Sequence, residues 1–360
     1  MRDSINNALS QLEQECVDCG ACAEACDLLS ELKESPGELA RKGIDLYHAY
    51  SCCLCGRCDA ACPLELKPSA LFAARRVAAV EKGEVDPEEY SSLFPDRKGS
   101  VMQLYRSYYG IGYSDLEAEK GATSCFFPGC TLMTYSPVLT REVFMKLKNE
   151  CGCQGLLTDC CGILLSQFGL EQSAAEASRN LVDKVESLGI KRIIVACPGC
   201  YYSLQEILGQ KKVEILTIYE VLDFQGAAGA DAPLCTVHDS CPDRFKGVFS
   251  KGVREALKKS GFSLVEMADS REETLCCGSG ALVSHFRPER TEKLIELRLR
   301  AAEKSGAKVL LAYCLSCVLN YAARPSEVKV RHVLNLLLGI DEDYTDVKTK
   351  VVKVFEEANG

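Results

Sequence analysis

Residues 192–200 read RIIVACPGC, and residues 308–317 read KVLLAYCLSC. Each stretch contains an apolar run with the length of a buried strand, and each ends in a Cys-x2-Cys pair. From residue 121 to residue 340 such runs alternate with amphipathic helical segments, which is the pattern of α/β units. The sequence therefore predicts α/β structure around both stretches.

The cysteine pattern of this region occurs twice, with about 110 residues between equivalent positions. Each copy has a cysteine after a strand, an adjacent pair followed by glycine, and a final Cys-x2-Cys. Cys125 and Cys235 also match as cysteines of the first strand, and residues 213–222 match residues 328–337. We expect two homologous halves related by a pseudo-twofold axis. Their five-cysteine sets are Cys130, Cys160, Cys161, Cys197 and Cys200, and Cys241, Cys276, Cys277, Cys314 and Cys317.

Two denser cysteine runs precede the repeat. They are Cys16-x2-Cys19-x2-Cys22-x3-Cys26 and Cys52-x2-Cys55-x2-Cys58-x3-Cys62-Pro63. Three thiolates at this spacing wrap one face of a cubane [4Fe–4S] cluster, and in two-cluster ferredoxins the fourth cysteine ligates the other cluster. Zinc sites use two Cys-x2-Cys pairs about a dozen or more residues apart, unlike these triple runs. We predict one cluster on Cys16, Cys19, Cys22 and Cys62, and another on Cys52, Cys55, Cys58 and Cys26.

Two details of these runs concern the backbone. Gly20 and Gly56 each follow the second cysteine of a run, where glycine lets the backbone approach a cluster. Asp27 stands where proline usually follows the last cysteine. We expect Asp27 to loosen the local turn without removing a ligand.

The composition excludes several other classes of protein. The chain has 360 residues, 23 of them Cys, and a net charge of −9. Residues 1–15 lack the segments of a secretion signal, and cysteines in tight groups suit shared metals better than disulfides. No apolar run approaches the length of a membrane span, and an acidic chain without a basic tract disfavours nucleic acid as a partner. Without a Rossmann or Walker motif, we expect no flavin, nicotinamide or nucleotide on this chain.

The pattern Cys-x(n)-Cys-Cys-Gly-x(n)-Cys-x2-Cys, present twice, resembles the cysteine-rich CCG domains of heterodisulfide reductase catalytic subunits. A ferredoxin module ahead of two such domains most resembles the membrane-linked type of that enzyme, over roughly residues 10–340. We therefore expect an α+β multidomain fold. Its parts are an α-helical ferredoxin-like domain with two [4Fe–4S] clusters (1–70), a helical connector (71–120), two pseudo-twofold-related α/β CCG domains (121–230 and 231–340) and a C-terminal tail (341–360).

The resemblance implies that each five-cysteine set binds a non-cubane [4Fe–4S] cluster. It also implies that these clusters reduce the mixed disulfide of coenzyme M and coenzyme B, held between the halves, to two thiols. Electrons would arrive one at a time through the cubane clusters from a partner subunit, either a membrane cytochrome b or a flavoprotein. The chain would be cytoplasmic, held at the inner face of the membrane where its partner is a membrane protein.

Two alternatives remain open. Similar subunits relay electrons for flavin-dependent dehydrogenases of glycolate, lactate or glycerol 3-phosphate, so this chain can be such a relay. In the other alternative, four thiols of one repeat hold a structural zinc ion. The identity of the disulfide or electron acceptor does not follow from the sequence.

His238 lies three residues before Cys241 and can hydrogen-bond a cluster sulfide or protonate a departing thiolate. A packed histidine is an equally good interpretation, and Phe127 stands at the equivalent place in the first half. His285, eight residues after Cys277, is a weaker candidate. We expect the remaining cysteines to be packed thiols. They are Cys53, Cys125, Cys151, Cys153 and Cys235.

Overall fold

The computed structural model describes residues 2–95, 97–229 and 231–359. The N-terminal part consists of helices and turns, and we call α1 to α7 the helical region. The helices are α1 (Arg2–Glu15), α2 (Ala21–Ala25), α3 (Asp27–Leu32), α4 (Pro36–Lys42), α5 (Leu46–Ser51), α6 (Arg57–Ala60), α7 (Ser69–Glu81), a 3-10 helix (Pro87–Leu93) and α8 (Val101–Tyr108).

Local sequence explains where several of these short helices begin. Ser35 and Glu38 form a capping box at the start of α4, and the Asp45 carboxylate accepts the His48 N–H at the start of α5. Gly20 and Gly56 precede α2 and α6 with φ angles of 82° and 69°, a conformation that costs glycine little. Each cysteine run therefore turns into a helix directly after its second cysteine.

The first half contains a four-stranded parallel sheet with the strand order β2-β1-β3-β4. Its strands are mostly apolar and mostly buried, as is usual for a parallel sheet. The elements are β1 (Ser124–Phe127), α9 (Cys130–Tyr135), α10 (Pro137–Cys151), β2 (Gly155–Leu156), α11 (Ile163–Phe168), α12 (Glu171–Leu188), β3 (Arg192–Val195), α13 (Pro198–Leu208), β4 (Glu214–Thr217) and α14 (Ile218–Val221).

The second half repeats this arrangement with a three-stranded parallel sheet of order β5-β6-β7. A single parallel bridge between Cys235 and Leu264 lies where β2 pairs in the first half. The elements are β5 (Cys235–His238), α15 (Val248–Lys259), α16 (Val283–Phe286), α17 (Pro288–Lys304), β6 (Val309–Ala312), α18 (Leu315–Ala322), β7 (Lys329–His332), α19 (Val333–Leu338) and the C-terminal α20 (Val347–Asn359). Short 3-10 helices lie at Cys241–Asp243, Arg271–Glu273 and Gly280–Leu282.

The strand register corrects one expectation. Ser124 pairs with Arg192 and Cys235 pairs with Val309, and both partners are the first residues of equivalent strands. Cys235 therefore corresponds to Ser124, and the prediction that Cys235 and Cys125 occupy equivalent places is wrong by one residue. A shift of one residue along a strand moves a side chain to the other face of the sheet.

The same register confirms the other equivalence drawn on this strand. Phe127 pairs with Val195 and His238 pairs with Ala312, at the ends of equivalent strands. Phe127 and His238 therefore occupy the same place in the two halves, directly before the loops that carry Cys130 and Cys241.

Arg76 of α7 joins all three parts of the chain. Its fully buried guanidinium donates to the carbonyl oxygens of Ala49 at 2.9 Å and Cys52 at 2.6 Å in the helical region. It also donates to Gln167 O at 2.7 Å in the first half and to Ala281 O at 3.2 Å in the second. Burying a cation without these acceptors would be costly, so the four carbonyls fix how the three parts meet.

Asp27 makes a contact that the expectation of a looser turn did not include. Its carboxylate accepts from Arg290 of α17 at 2.6 Å and lies 3.5 Å from the Lys293 ammonium. The same carboxylate accepts the Leu28 N–H at the start of α3. The residue that replaces proline therefore ties the first cysteine run to the second half.

Gly169 marks the closest approach of the first half to α7. It ends α11 with a φ of 109°, and a Cβ atom there would lie 2.6 Å from the carbonyl oxygen of Arg76. Gly189 ends α12 with a φ of 83°, but a Cβ there would meet nothing within 4 Å.

We expect Gly169→Ala to lower the free energy of unfolding by about 2–5 kcal/mol, since it adds a backbone clash to the strain of a positive φ. The matched control Gly189→Ala carries only the φ strain and should cost about 1 kcal/mol. Urea unfolding of anaerobically prepared protein, followed by circular dichroism, measures both changes. Equal losses for the two variants would contradict the close packing of α11 on α7.

Candidate metal centres

The eight cysteines of the N-terminal runs line two separate cavities. A cavity of about 280 Å³ is lined by Cys16, Cys19, Cys22 and Cys62, and we call it the outer cavity because Cys19 is exposed. A cavity of about 380 Å³ is lined by Cys26, Cys52, Cys55 and Cys58, and we call it the inner cavity. The last cysteine of each run thus lies at the cavity of the other run.

The inner cavity extends to the second half. Cys53 and Cys276 also line it, and the Cys276 thiol is within hydrogen-bonding reach of both Cys53 and Cys55. Burial raises the pKa of Cys52 to about 12, and the positive charges of Arg76 and Arg290 act in the opposite direction. The inner site is therefore a buried group of thiols that borders the second five-cysteine set.

The five cysteines of the first half are brought together from three loops. Cys130 begins α9, Cys197 precedes α13, and Cys200 lies in its first turn. Thiol contacts run from Cys130 to Cys160, Cys161, Cys200 and Cys197 in that order. Gly129 makes room for them, since a Cβ there would lie 3.0 Å from Cys197 Cβ and 3.2 Å from Cys200 Sγ.

The second half assembles its five cysteines in the same way. The contacts run from Cys241 to Cys276, Cys277, Cys317 and Cys314, and the Cys277 and Cys317 sulfurs are 3.1 Å apart. All ten cysteines predicted for the two sets therefore lie in two compact groups.

Matching hydrogen bonds hold the adjacent cysteine pair in each half. Gly162 N–H donates to Cys160 Sγ and Gly278 N–H donates to Cys276 Sγ, both at 3.4 Å. Equivalent side chains then bind the carbonyl of the next cysteine. Ser203 donates to Cys161 O at 2.9 Å, and Asn320 donates to Cys277 O at 2.8 Å.

The two groups of thiols meet at the interface between the halves. Cys197 and Cys314 are within hydrogen-bonding reach, so one continuous row of thiols runs from Cys130 to the inner cavity. Beside this contact, the Thr131 and Ser316 hydroxyl oxygens are 3.3 Å apart. The cavity between the halves measures about 30 Å³, which is room for about one water molecule.

Three cysteines of the row favour the thiolate, one in the first set and two in the second. Hydrogen bonds from Cys160 and Cys200 lower the pKa of Cys161 to about 5. Neighbouring thiols likewise lower the pKa of Cys276, with Cys241 as the main donor, and that of Cys314, with Cys197 as the main donor. Thiolates are the form that binds metals, and dense sets of soft thiolate ligands suit iron–sulfur clusters or zinc. The residues therefore fit such groups.

His238 lies behind the second group, fully buried. Arg298 Nε–H donates to His238 Nδ1 at 3.1 Å, so the proton of the neutral ring is on Nε2. The ring has a nitrogen within 4.8 Å of both the Cys277 and Cys317 sulfurs. Burial, with the charge of Arg298, lowers the pKa of His238 to about 3. At neutral pH His238 is thus an uncharged N–H donor beside these sulfurs.

Other residues singled out in the sequence lie apart from the row of thiols. His285 packs edge-on against Tyr90 and Phe286. Cys151 donates to Val221 O, and Cys235 donates to Pro233 O. Cys125 and Cys153 are buried together in the core of the first half.

Sequence reasoning missed Cys53 and the arginines around the inner cavity. Cys53 looked like a packed thiol, because its contact with Cys276 joins residues more than two hundred positions apart. Neither Arg76 nor Arg244 belongs to a sequence motif. Arg76 does lie in a largely apolar stretch, residues 70–83, and an arginine in such a stretch could have indicated a buried, hydrogen-bonded side chain. Arg244 donates to Cys55 O at 2.9 Å.

Comparison with known proteins agrees with the repeat. Residues 124–205 and 235–321 each match the family described as the cysteine-rich CCG domain. The chain is 25% identical to a subunit of the dihydromethanophenazine:CoB–CoM heterodisulfide reductase of Methanosarcina barkeri, over 89% of this chain and 92% of that protein. It is 24% identical to an iron–sulfur protein of Methanocaldococcus jannaschii (90% and 73% covered) and to a probable glycolate oxidase iron–sulfur subunit of Bacillus subtilis (59% and 53% covered).

Among the described residues, no helix combines the length and apolar character that crossing a bilayer requires.

The Arg298–His238 contact leads to a prediction about stability. His238→Phe introduces the residue found at this place in the first half, but it leaves the buried Arg298 Nε without an acceptor. We expect a loss of about 2–4 kcal/mol in the free energy of unfolding. His238→Gln, which keeps an acceptor oxygen, should lose less than half as much. Urea midpoints at pH 7.5 measure both, and a smaller loss for phenylalanine than for glutamine would contradict the assigned hydrogen bond.

Proposed function

We propose that this chain, an iron–sulfur oxidoreductase subunit with two CCG cysteine-rich domains, passes electrons inward from its N-terminal cysteine runs to reduce a small disulfide between its two halves. The observation that carries this proposal is the continuous row of thiols from the inner cavity through Cys276 and Cys314 to Cys130. A disulfide of the coenzyme M–coenzyme B type is the substrate, by similarity to the named relatives.

The proposal assigns a cluster to each of the four thiol groups. Cysteines around the outer and inner cavities hold two cubane [4Fe–4S] clusters, and the five-cysteine sets hold two non-cubane [4Fe–4S] clusters. Support comes from the donor sets, which are all sulfur, and from the cavities of about 280 and 380 Å³ at the N-terminal runs. When bound, the clusters supply one-electron transfer and iron that can bind the thiolates of a cleaved disulfide.

The residues of the chain contribute position and exclusion of water. Gly162 and Gly278 donate backbone N–H groups to the first sulfur of each adjacent pair, which holds the pair in place. His238 places an uncharged imidazole beside the second set, with a ring nitrogen within 4.8 Å of the Cys277 and Cys317 sulfurs, whereas Phe127 at the equivalent place has no polar group. The two sets therefore differ in their surroundings, and this difference supports different roles for the two halves.

Substrate entry requires movement at the interface between the halves. The cavity of about 30 Å³ there is far smaller than a coenzyme disulfide. Thr131 and Ser316 would have to separate for a substrate to reach the sulfurs of Cys197 and Cys314. That hydroxyl contact, worth about 0.5–1.5 kcal/mol, covers only the entrance. Tyr202 also hydrogen-bonds Asp243 across the interface, and the halves share a hydrophobic core, so a local opening is needed rather than separation of the halves.

The same small cavity favours a second function, that of an electron relay. A relay subunit needs clusters within reach of one another but no substrate site. The similarity to a glycolate oxidase iron–sulfur subunit over 59% of this chain supports this alternative. In this case a flavoprotein partner would deliver the electrons, and a further subunit or a quinone would receive them.

Metal analysis tests the cluster assignment. We expect about sixteen irons per chain, four from each of four clusters, and negligible zinc in anaerobically purified protein. Cys317→Ser should lose about a quarter of the iron, because it removes one of the five ligands of the second cluster. Cys235→Ser is the matched control, since Cys235 is also buried but packs in the core and donates to a backbone carbonyl, away from the row of thiols. Stoichiometric zinc, or equal iron in the two variants, would contradict the assignment for the second set.

Turnover on the isolated chain separates the reductase from the relay. We expect reduced viologen to be oxidised when coenzyme M–coenzyme B disulfide is added, with two thiols formed per disulfide. Replacing both Thr131 and Ser316 by alanine should increase the rate at low substrate concentration, because the interface opens more easily. A full complement of iron without any disulfide reduction, together with electron uptake from a flavoprotein partner, would contradict the reductase and support the relay.

A further inference from the structure

Three buried arginines lie close to the cysteines of the inner cavity, and one of them, Arg290, lines the cavity itself. Arg76 is 0% exposed, Arg244 is 3% exposed and Arg290 is 7% exposed. Each reaches a cysteine of the inner cavity or its neighbour. Arg76 donates to Cys52 O at 2.6 Å, Arg244 donates to Cys55 O at 2.9 Å, and Arg290 pairs with Asp27 beside Cys26.

Two of these arginines have no carboxylate partner among the described residues. All acceptors of Arg76 are backbone carbonyl oxygens. Arg244 likewise donates only to carbonyls, those of Cys55, Glu272 and Thr274. A buried cation usually has an anionic partner, because carbonyl dipoles alone do not neutralise its charge. Arg76 and Arg244 are therefore held by carbonyl dipoles and not by direct ion pairs.

The nearby acidic groups do not cancel these charges. Asp27 is shared by Arg290 and Lys293. Asp59, the neighbour of Cys58, accepts hydrogen bonds from Ser69 N–H and its hydroxyl. Arg57, which also lines the cavity, pairs with Asp269 at 2.9 Å. Glu24, which also lines the cavity, is exposed and therefore screened by water. Asp243 shares a separate cavity with Arg244, but its carboxylate is bound by tyrosine hydroxyls and backbone N–H groups. Arg76 and Arg244 therefore add buried positive charge that no carboxylate binds directly.

The outer cavity lacks such a set. Its charged lining residues are Asp18, Lys33 and Glu34, and the cavity opens to solvent at Cys19. Water and salt screen charges at an exposed site, so these residues act weakly. The difference between the cavities is therefore one of buried, unscreened positive charge.

We propose that Arg76, Arg244 and Arg290 raise the reduction potential of the cubane cluster in the inner cavity, so that a buried cluster remains reducible from the exposed outer one. This inference rests on the cluster assignment of the proposed function. Reduction adds one negative charge to a thiolate-ligated cluster, and burial alone opposes that addition. Fixed positive charges in a medium of low dielectric constant favour it.

The step that the arginines favour is a single electron transfer. One electron leaves the reduced outer cluster, which becomes oxidised, and enters the inner cluster, which becomes reduced. No bond or proton is transferred. The electron comes from a one-electron donor, which in the experiment is a reduced viologen.

The test is a redox titration of the full chain with iron–sulfur clusters, followed by electron paramagnetic resonance. Signals are assigned with Cys19→Ser, which changes the outer site, and Cys58→Ser, which changes the inner one. We expect Arg244→Gln to shift the inner cluster to lower potential, while the outer cluster in the same molecule stays unchanged. Arg244→Lys, which keeps the charge, should retain the wild-type potential to within half of that shift.

Arg300→Gln is the matched control. Arg300 lies on α17 with Arg290 and carries the same charge, but it is exposed and pairs with Glu296. It should shift neither potential. If Arg244→Gln does not fold, Arg290→Gln replaces it, and the expected shift of the inner cluster is again downward.

Each outcome separates this proposal from the cluster assignment. An unchanged inner potential with a full complement of iron overturns the role of the arginines. Equal downward shifts for glutamine and lysine overturn it too, because hydrogen bonding rather than charge would then be responsible. Absence of cubane signals in the wild-type chain, with low iron, instead overturns the cluster assignment on which the proposal rests.

Discussion

The guanidinium group of Arg76 binds carbonyl oxygens from the helical region, the first half and the second half, and the arrangement of the three parts depends on it. A buried cation must keep all its donors satisfied, and these acceptors sit at fixed places on α5, α11 and the 3-10 helix at Gly280–Leu282. Moving any part would leave a donor unpaired in a medium without water. The inner cavity lies at this junction, so the same contact sets the distance between Cys52 and the second half.

The two halves bind their adjacent cysteine pairs through the same hydrogen bonds, but they differ in the residues that surround the five-cysteine sets. Glycine N–H groups bind the first sulfur of each pair, and Ser203 and Asn320 play the same part at the next carbonyl. Duplication explains this similarity. The two halves differ at residues that make none of these shared hydrogen bonds. His238 replaces Phe127 beside the second set, and only Cys276 among these ten cysteines borders the inner cavity. In the proposed function, the second half would therefore receive electrons before the first half.

The sequence predicted the parts of this structure that short-range pattern controls. The strands before Cys197 and Cys314 and the grouping of thiols follow from spacings of a few residues. α7 (Ser69–Glu81) lies at the start of the stretch predicted to be a helical connector, residues 71–120. The one-residue error at Cys235 arose because the two halves were aligned by matching Cys235 with Cys125. The pairing of strands, which matches Cys235 with Ser124, cannot be read from the sequence. Contacts between distant residues, such as Asp27 with Arg290, are set by how the domains dock and carry no local signature.

The geometry around the thiols also orders the sites by access to solvent. Cys19 is exposed at the outer cavity, whereas the cysteines of the inner cavity are buried or half-buried, and so are the ten cysteines of the two five-cysteine sets. Electrons need no opening, because they cross protein between groups that lie close together. In the proposed function a substrate does need an opening, and the hydroxyl contact between Thr131 and Ser316 lies where that opening would form. On that proposal, electrons would enter at the exposed Cys19, whereas a substrate would reach the sulfurs of Cys197 and Cys314 only after a local movement at this contact.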